Sequence, residues 1–160
     1  MMSSIRNSIT KLAAMGASAL IMAATMVKPL EGIEFVPYYD VAGVLSVCYG
    51  HTGPDIIKDK VYSQSECDAL LDKDLKKVKR HVDPLIKVVI PETTRAALYS
   101  FTYNVGVGAF RRSTLLKLLN QGHWASACEQ LKRWVYSAGK PWKGLMTRRD
   151  IERQVCLMRD

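Results

Sequence analysis

The chain has 160 residues, with 23 Lys or Arg against 15 Asp or Glu, so its formal net charge at pH 7 is +8. This length suits one domain or two small lobes, and the positive charge indicates an anionic partner such as nucleic acid, an acidic membrane surface or the bacterial cell wall. We expect no nucleic-acid partner, because the basic residues are spread along the chain and no zinc-finger spacing, aromatic RNA-binding signature or Walker loop occurs.

The first predicted element is a weakly apolar N-terminal segment. Arg6 and Lys11 precede residues 12–27, which carry no charge, and Lys28 closes the run. Basic residues before an apolar stretch are typical of a secretory signal. Sixteen helical residues span only about 24 Å of the roughly 30 Å of bilayer hydrocarbon. Nine of these residues are Ala, Gly, Ser or Thr, so lipid would hold the segment only weakly.

Three interpretations of this segment are open. A cleaved signal peptide could be cut after Ala19, leaving a very short apolar core, or after Ala24, leaving Glu31 almost at the new terminus. A permanent anchor is disfavoured by the short length and the small residues. We favour an anchor that can later leave the membrane. The chain is therefore divided into a weak transmembrane segment, 1–28, and a folded domain, 29–160.

The next stretch predicts a short helix and then strands. Residues 28–34 could continue as a helix, which Pro29 and Gly32 weaken. Residues 35–46 alternate in polarity and carry β-branched side chains, which predicts a small β-hairpin or meander. Two glycines and a proline make residues 49–55 a loop.

The remainder of the chain predicts helices. Ser63 and Glu66 form a capping box before apolar residues at helical spacing, so one long helix is expected over about 64–81. Further helices are predicted over 93–104, 114–119 (with Ser113 as cap), 124–137 and 146–157. The fold class is therefore α+β, with a small strand-containing lobe, a long connecting helix and a helical lobe.

Four cysteines, Cys48, Cys67, Cys128 and Cys156, include no C-x-x-C pair. That spacing argues against a zinc site, and no metal is predicted. An even cysteine count in an exported protein indicates two disulfide bonds, whereas four free thiols would suit a cytosolic protein.

Two carboxylates nine residues apart, Glu31 and Asp40, are the first functional candidates. Cleavage of a glycosidic bond needs one carboxyl group that protonates the leaving oxygen and one carboxylate that activates water or attacks directly. A helix end and a hairpin could present two such groups across a cleft. Two unrelated surface acids would show the same spacing, so the surrounding residues must decide between these hypotheses.

Those surroundings follow a known pattern. The stretch E-G-x-x-x-x-P-Y-x-D-x-x-G from Glu31, together with G-H-T-G at 50–53, closely resembles the phage-type lysozymes of glycoside hydrolase family 24. The N-V-G at 104–106 and the G-L-x-x-R-R-x-x-E from Gly144 match in the same order, so the resemblance covers about residues 30–160. With its apolar start, the chain is most similar to the signal-arrest-release endolysins of phages that infect Gram-negative bacteria. These are exported, wait tethered to the inner membrane and become active once the segment leaves the bilayer.

The resemblance implies a catalytic set. The family pattern of Glu, Asp nine residues later and Thr six residues after that falls on Glu31, Asp40 and Ser46. Glu31 would act as the acid and Asp40 would position the attacking water, as in an inverting enzyme. Ser46 departs from the pattern, because it keeps the hydroxyl but lacks the methyl group that restricts the Thr rotamer. We expect activity to survive this change, and the stereochemical outcome stays open.

The resemblance also implies a lysozyme-like fold and a lysozyme activity that needs no metal and no cofactor. The expected reaction is hydrolysis of the β-1,4 bond between N-acetylmuramic acid and N-acetylglucosamine, which causes host cell lysis. The expected partners are peptidoglycan, the export machinery and, before release, the inner membrane on its periplasmic side. The protein would then be a periplasmic monomer. A secreted lysozyme with a cleaved signal and a non-catalytic wall-binding relative are the alternatives.

Further residues are candidates for supporting roles in the site. Arg149 is predicted to pair with Glu31 from the last helix, with Arg148 as the alternative. Asn104 could contact the substrate and Phe110 could line the cleft, or either could be structural.

His51 is predicted to form a structural ion pair with Asp74 on the long helix, rather than to act as a base. Going back three strand residues from His51 and seven helix residues from Asp74 covers about 10 Å in each case. These steps end at Cys48 and Cys67, so these two cysteines are predicted to bond. Cys128 and Cys156 are then left to join the last two helices.

The position of Glu31 also predicts a switch. It lies three residues after Lys28. While residues 12–27 are in the membrane, residues 29–34 would therefore begin at the bilayer surface. They could not then dock on the helical lobe, which would leave the acid out of place. Because residues 12–27 contain no cysteine, the predicted switch is steric and not a thiol exchange.

Overall fold

A computed structural model describes residues 2–159 of the chain. It begins with a helix pair, α1 (Met2–Ala14) and α2 (Ala19–Glu31), joined by a short turn in which Gly16 has a φ of 75°. The apolar residues 12–27 are therefore divided between two helices. Within residues 2–159, no helix combines the length and the apolar character that crossing a bilayer requires.

The helix pair is packed onto the rest of the protein. One face of each helix is buried, including Ile5 and Ile9 of α1 and Met22, Met26 and Val27 of α2. The backbone N–H of Ala19 donates to Glu92 Oε2 at 3.0 Å, which satisfies an amide at the start of α2. These apolar side chains belong to the same core as those of the later helices.

α2 runs through Pro29 and ends at Glu31, so the short helix expected over 28–34 is the end of a longer one. Gly32 stops it with a φ of 68°, a left-handed backbone that favours glycine. Its N–H donates to the Lys28 carbonyl at 3.1 Å. The carboxylate of Glu31 therefore extends from the last residue of a packed helix.

The strand-containing lobe contains the predicted hairpin and a third short strand within residues 49–55, which were expected to form a loop. Strands β1 (Glu34–Tyr39), β2 (Leu45–Cys48) and β3 (His51–Thr52) form an antiparallel sheet in the order β1-β2-β3. Tyr38 lies opposite Ser46, and Val47 lies opposite His51. Residues 48 and 51, which we had treated as one strand, are separated by a turn.

The long helix α3 (Gln64–Val82) has the predicted capping box, since Ser63 Oγ accepts from the Glu66 amide and Glu66 Oε1 accepts from the Ser63 amide. A 3-10 turn, Asp83–Leu85, follows it. The helical lobe then contains α4 (Glu92–Val105), α5 (Val107–Arg111) and α6 (Thr114–Asn120), and Ser113 caps α6 as expected. α4 is the central helix, with α2, α3 and the C-terminal helix packed around it.

The last part of the chain differs from the prediction. The helix expected over 124–137 ends early: α7 covers Trp124–Glu129, and a 3-10 turn covers Gln130–Arg133. A small hairpin follows, with β4 (Tyr136–Ser137) and β5 (Lys140–Pro141). The terminal helix α8 (Lys143–Cys156) begins three residues before the predicted start at 146.

A tertiary contact holds the chain in the non-helical segment after α7. The Trp134 carbonyl, five residues beyond the end of α7, accepts from Arg149 Nε of α8 at 2.9 Å. Ala138 and Gly139 have φ values of 51° and 78°, which turn the chain into β5. The α+β fold class is confirmed.

Candidate active site

Glu31 lies at the end of α2 and pairs with α8. Arg148 Nη1 donates to Glu31 Oε1 at 2.6 Å, and the Glu31 side chain is 22% exposed. The prediction that Arg149 makes this pair is wrong, and the alternative, Arg148, is confirmed. Neighbouring helical residues point about 100° apart, so only one of two adjacent arginines can face α2.

Arg149 faces a different side, towards α4 and the segment that precedes the hairpin. Its guanidinium donates to the Trp134 carbonyl, to Glu152 Oε1 and to Asn104 Oδ1. Burial lowers the pKa of Arg149, and the carboxylate of Glu152 opposes that effect. Arg149 therefore fixes the region around Glu31 without contacting the acid.

Both arginines meet at Glu152, which is fully buried. Glu152 accepts from Arg148 Nε at 3.3 Å, from Arg149 Nη1 at 2.5 Å and from Ser100 Oγ at 2.6 Å. Arg148 Nη2 also donates to the Ser100 carbonyl at 3.1 Å. Two cations and two carboxylates, counting Glu31, thus form one hydrogen-bonded group, which is the arrangement that makes buried charges tolerable.

The β2–β3 turn approaches Glu31 from the other side. A Cβ built on Gly50 would lie 3.3 Å from Glu31 Oε2, and Gly50 has a φ of 80°. Both the space and the backbone conformation favour glycine here. The carbonyl of Tyr49 accepts from Tyr103 Oη at 2.5 Å, which joins this turn to α4. Burial is the main cause of the raised pKa of Tyr103, and the charges of Asp74 and Glu31 add to it.

Asp40 is held by its own turn. Its Oδ1 accepts from the backbone amides of Ala42 and Val44, each at 2.9 Å. This is the geometry in which Asp stabilises a tight turn, and neither bond uses Oδ2. Asp40 is half-buried at the edge of the strand-containing lobe.

Ser46 is 3% exposed, and its Oγ donates to the Val44 carbonyl at 3.2 Å. Its role in holding water stays a prediction. Tyr38, which lies opposite Ser46, was not singled out from the sequence. Burial raises the pKa of Tyr38, and the negative charges of Glu31, Glu34 and Asp40 raise it further. Its place in the P-Y-x-D stretch was the signal that could have identified it.

A cleft of about 600 Å³ contains the Glu31–Arg148 pair. Asn104 lines this cleft as well as bonding Arg149, so it has both a structural contact and access to a ligand. Phe110 is fully buried in the core, and the hypothesis that it lines the cleft is wrong. Val41 and Trp142 also line the cleft.

The contacts that anchor the strand-containing lobe are confirmed. His51 Nδ1 bonds Asp74 Oδ2 at 2.7 Å, and its Nε2 bonds Asp55 Oδ1 at 2.9 Å, a partner that the sequence did not reveal. The hydrogen bond to Asp74 raises the pKa of His51, burial opposes this, and the hydrogen bond to Asp55 raises it further. Both predicted disulfides, Cys48–Cys67 and Cys128–Cys156, are present.

The first of these bonds forms by a different route from the one we expected. Cys48 ends β2 with a φ of 62°, and the turn after it brings His51 back on a neighbouring strand. Both residues face α3 because two adjacent strands pack against that helix, whereas we had placed them on a single strand running alongside it.

Known proteins share this sequence and fold. The family model described as phage lysozyme matches residues 28–152. A SAR-endolysin of Bacteriophage PS119 is 56% identical over 159 residues, which cover 96% of this chain and 94% of that protein. A SAR-endolysin of Enterobacteria phage PA-2 is also 56% identical, over 91% of this chain and 92% of that protein. An endolysin from Escherichia coli O157:H7 phage FAHEc1 aligns with a TM-score of 0.77 and 29% identity, covering 84% of this chain and 90% of its own.

Proposed function

Because this chain belongs to the phage lysozyme family, we propose that it uses Glu31 and Asp40 to hydrolyse the β-1,4 bond between N-acetylmuramic acid and N-acetylglucosamine. The chain is an endolysin of the lytic muramidase type, and peptidoglycan is its substrate. The observation that carries the residue assignment is the position of Glu31 in the cleft, with one carboxylate oxygen bonded to a buried arginine.

The contacts of Glu31 suggest how it would donate a proton. Arg148 occupies Oε1, which leaves Oε2 to face the glycosidic oxygen. The missing side chain of Gly50 keeps the space beside Oε2 open. Proton transfer to the leaving oxygen at this atom would leave Glu31 as a carboxylate, and Arg148 would stabilise that charge.

Asp40 would act from the strand-containing lobe. Its Oδ1 is bonded to two turn amides, so its Oδ2 is the oxygen available to accept a proton from water. Water activated there would attack the anomeric carbon on the side opposite the leaving group, which gives inversion. Ser46 would assist by holding the same water.

Glu31→Gln and Asp40→Asn test this assignment. Each is expected to slow the release of reducing ends from purified peptidoglycan by about 10²–10⁴-fold, the usual contribution of a general acid or base. Glu34→Gln is the matched control, because Glu34 is an exposed acid at the start of β1 and should keep the wild-type rate. Full activity in Glu31→Gln would remove the proposal, and a wild-type protein that binds walls without releasing reducing ends would favour the non-catalytic alternative.

We propose further that residues 12–27 first hold the protein in the inner membrane and later dock onto the domain. Export would place the domain on the periplasmic side, and release would leave it in the periplasm as a monomer. The support is the burial of Met22, Met26 and Val27 in the same core as α4. These side chains cannot lie in lipid and in that core at once, and Glu31 ends the same helix.

Docking of α2 would therefore bring Glu31 to Arg148. Lys28 Nζ of the same helix lies 3.4 Å from Asp68 Oδ1 of α3. This ion pair would be available only in the docked state. The test compares membrane-held protein with protein released without detergent, both acting on isolated cell walls. Equal specific activity would contradict the switch. An intact mass lacking residues 1–24 in the periplasmic protein would instead support the cleaved-signal alternative.

A further inference from the structure

Large apolar side chains are exposed around the cleft that contains Glu31. Trp142 is 56% exposed and Val41 fully exposed, and both line this cleft. Tyr136 and Met146, near Trp142, are also exposed. A cluster of exposed apolar groups next to polar ones marks a binding surface more often than an isolated exposed residue does.

Trp142 is held in place although most of its surface is free. Its indole Nε1 donates to the Ser137 carbonyl at 3.0 Å, and its backbone amide donates to the Val135 carbonyl at 2.9 Å. The β4–β5 hairpin thus fixes the ring immediately before α8, the helix that carries Arg148. An aromatic ring fixed before a ligand arrives loses little conformational entropy on binding.

The hydrogen bond to Ser137 also limits what the ring can offer to a ligand. The indole has a single donor, and that donor is already satisfied by the hairpin. What remains for a ligand is an apolar aromatic surface. A pyranose ring has an apolar side formed by its C–H groups and a rim of hydroxyls, and it therefore suits an aromatic ring with polar groups nearby.

The polar groups are present in the same cleft. Asn104 and Arg148 line it together with Glu31, and Thr147 adds a hydroxyl. Because the bond to be cleaved joins two sugars at Glu31, one of those sugars must lie in this cleft. Tyr136 lines a neighbouring hollow instead, so Trp142 is the aromatic residue that shares the cleft with the acid.

We propose that Trp142 is a platform on which one pyranose ring of the glycan strand packs, and that it positions the strand for cleavage at Glu31. This inference rests on the proposed function, since it assigns a contact for the same glycan substrate. It makes Trp142 a substrate-binding residue whose effect falls on affinity and not on proton transfer. A role confined to supporting the hairpin or the start of α8 would instead displace Arg148 and lower the catalytic rate.

Steady-state kinetics on peptidoglycan separate these two roles. Trp142→Ala is expected to raise KM about tenfold, the loss typical of removing an aromatic side chain that the bound partner covers. Its kcat is expected to stay within about twofold of wild type, because the interaction is made equally in the ground and transition states. Trp142→Phe should recover most of the affinity. Val89→Ala, at an exposed apolar residue that does not line the cleft, is the matched control and should keep the wild-type KM.

A binding measurement gives a direct readout. Glycan strands from peptidoglycan whose stem peptides have been removed are added to the Glu31→Gln protein, and tryptophan fluorescence is recorded. In the Glu31→Gln protein we expect the glycan to cause a spectral change and to reduce quenching by acrylamide. Neither effect is expected in the double variant that carries both Glu31→Gln and Trp142→Phe. An equal spectral change in the two proteins would overturn the inference, as would a Trp142→Ala protein with wild-type KM or with a loss confined to kcat.

These results are distinguishable from a failure of the proposed function. If Glu31→Gln kept full activity while Trp142→Ala raised KM, the acid assignment would fail and the platform would stand. If Glu31→Gln were inactive and Trp142→Ala kinetically normal, the reverse would hold. Thermal unfolding of the Trp142 variants checks that a changed KM does not arise from partial unfolding.

Discussion

The two carboxylates proposed for catalysis are held in opposite ways. Glu31 is fixed by a buried group of charged and polar residues that come from α2, α4 and α8, far apart in the chain. Asp40 is fixed by amides two and four residues away in its own turn. The helical side of the site therefore depends on tertiary packing. The strand side depends on local structure that disulfide and ion-pair contacts attach to α3.

Because the helical side depends on tertiary packing, we expect substitution of Glu152 to cause the largest loss of stability. Glu152→Gln removes the carboxylate shared by Arg148 and Arg149 and leaves two buried cations with less compensation. We expect the free energy of unfolding to fall by about 3–5 kcal/mol, the cost of breaking a buried ion pair. Activity at a temperature where the protein stays folded should also fall, since Arg148 loses a contact that positions it. Urea unfolding and the release of reducing ends measure the two effects.

Asp150→Asn is the control on the same helix. The Asp150 carboxylate is 38% exposed and meets Arg153 and Gln154 near the surface. An exposed pair of this kind contributes about 0–1 kcal/mol. Equal losses in the two variants would show that the buried charge group has no special part in holding the helical side.

The two disulfides allow the lobes to be loosened separately. They close sequence separations of 19 and 28 residues, so replacing either pair by alanine should cost a similar free energy, about 3 kcal/mol. The location of the effect should differ. Loss of Cys48–Cys67 should speed amide hydrogen exchange mainly in β1–β3, whereas loss of Cys128–Cys156 should do so in α7 and α8. If either loss increased exchange equally across both lobes, the two sides of the site would not be held independently.

The His51–Asp74 pair should give the strand side a dependence on pH. The hydrogen bond to Asp74 raises the pKa of His51 against the effect of burial, with a further contribution from Asp55. A histidine whose pKa is raised by folding contributes stability that is fully present below its unfolded pKa of about 6.5 and is lost as pH rises through the folded value. Asp74→Asn should therefore lower the free energy of unfolding by about 2 kcal/mol in mildly acid solution.

The difference between wild type and Asp74→Asn should shrink as the pH rises above the folded pKa of His51. Chemical unfolding at a series of pH values measures it. Lys76→Gln is a suitable control, because the Lys76–Asp72 pair on α3 is exposed and should show no comparable dependence. A difference that stays constant or grows with pH would exclude the charged histidine as its source.

The difference between local contacts and contacts among distant segments also explains which features could be predicted from the sequence. The capping box of α3, the β1–β2 hairpin and the cap of α6 depend on residues a few positions apart, and all three are confirmed. The choice between Arg148 and Arg149 depends on the rotation of α8 against α2. No pattern within α8 contains that information, and our preference was wrong.

Two other differences have the same cause. The non-helical segment after α7 is held by Arg149, which donates to the Trp134 carbonyl, a contact between distant segments. The sequence left two positions open for Phe110, in the cleft or in a structural role, and α5 directs it into the core. The division of residues 12–27 into two helices likewise depends on the core that they enter.

The smallest effect is expected at Ser46, where the family resemblance implies Thr. Ser46→Thr would restrict the rotamer of the hydroxyl through its added methyl group, and we expect reducing-end release to rise by about twofold at most. The change is small because the hydroxyl is already bonded to the Val44 carbonyl and 3% exposed. Ser46→Ala is the informative partner. If the hydroxyl helps Asp40 to hold water, its removal should slow the reaction clearly more than Ser46→Thr speeds it. If Ser46→Ala reacts at the wild-type rate, Asp40 and its turn make up the catalytic part of the strand side without Ser46.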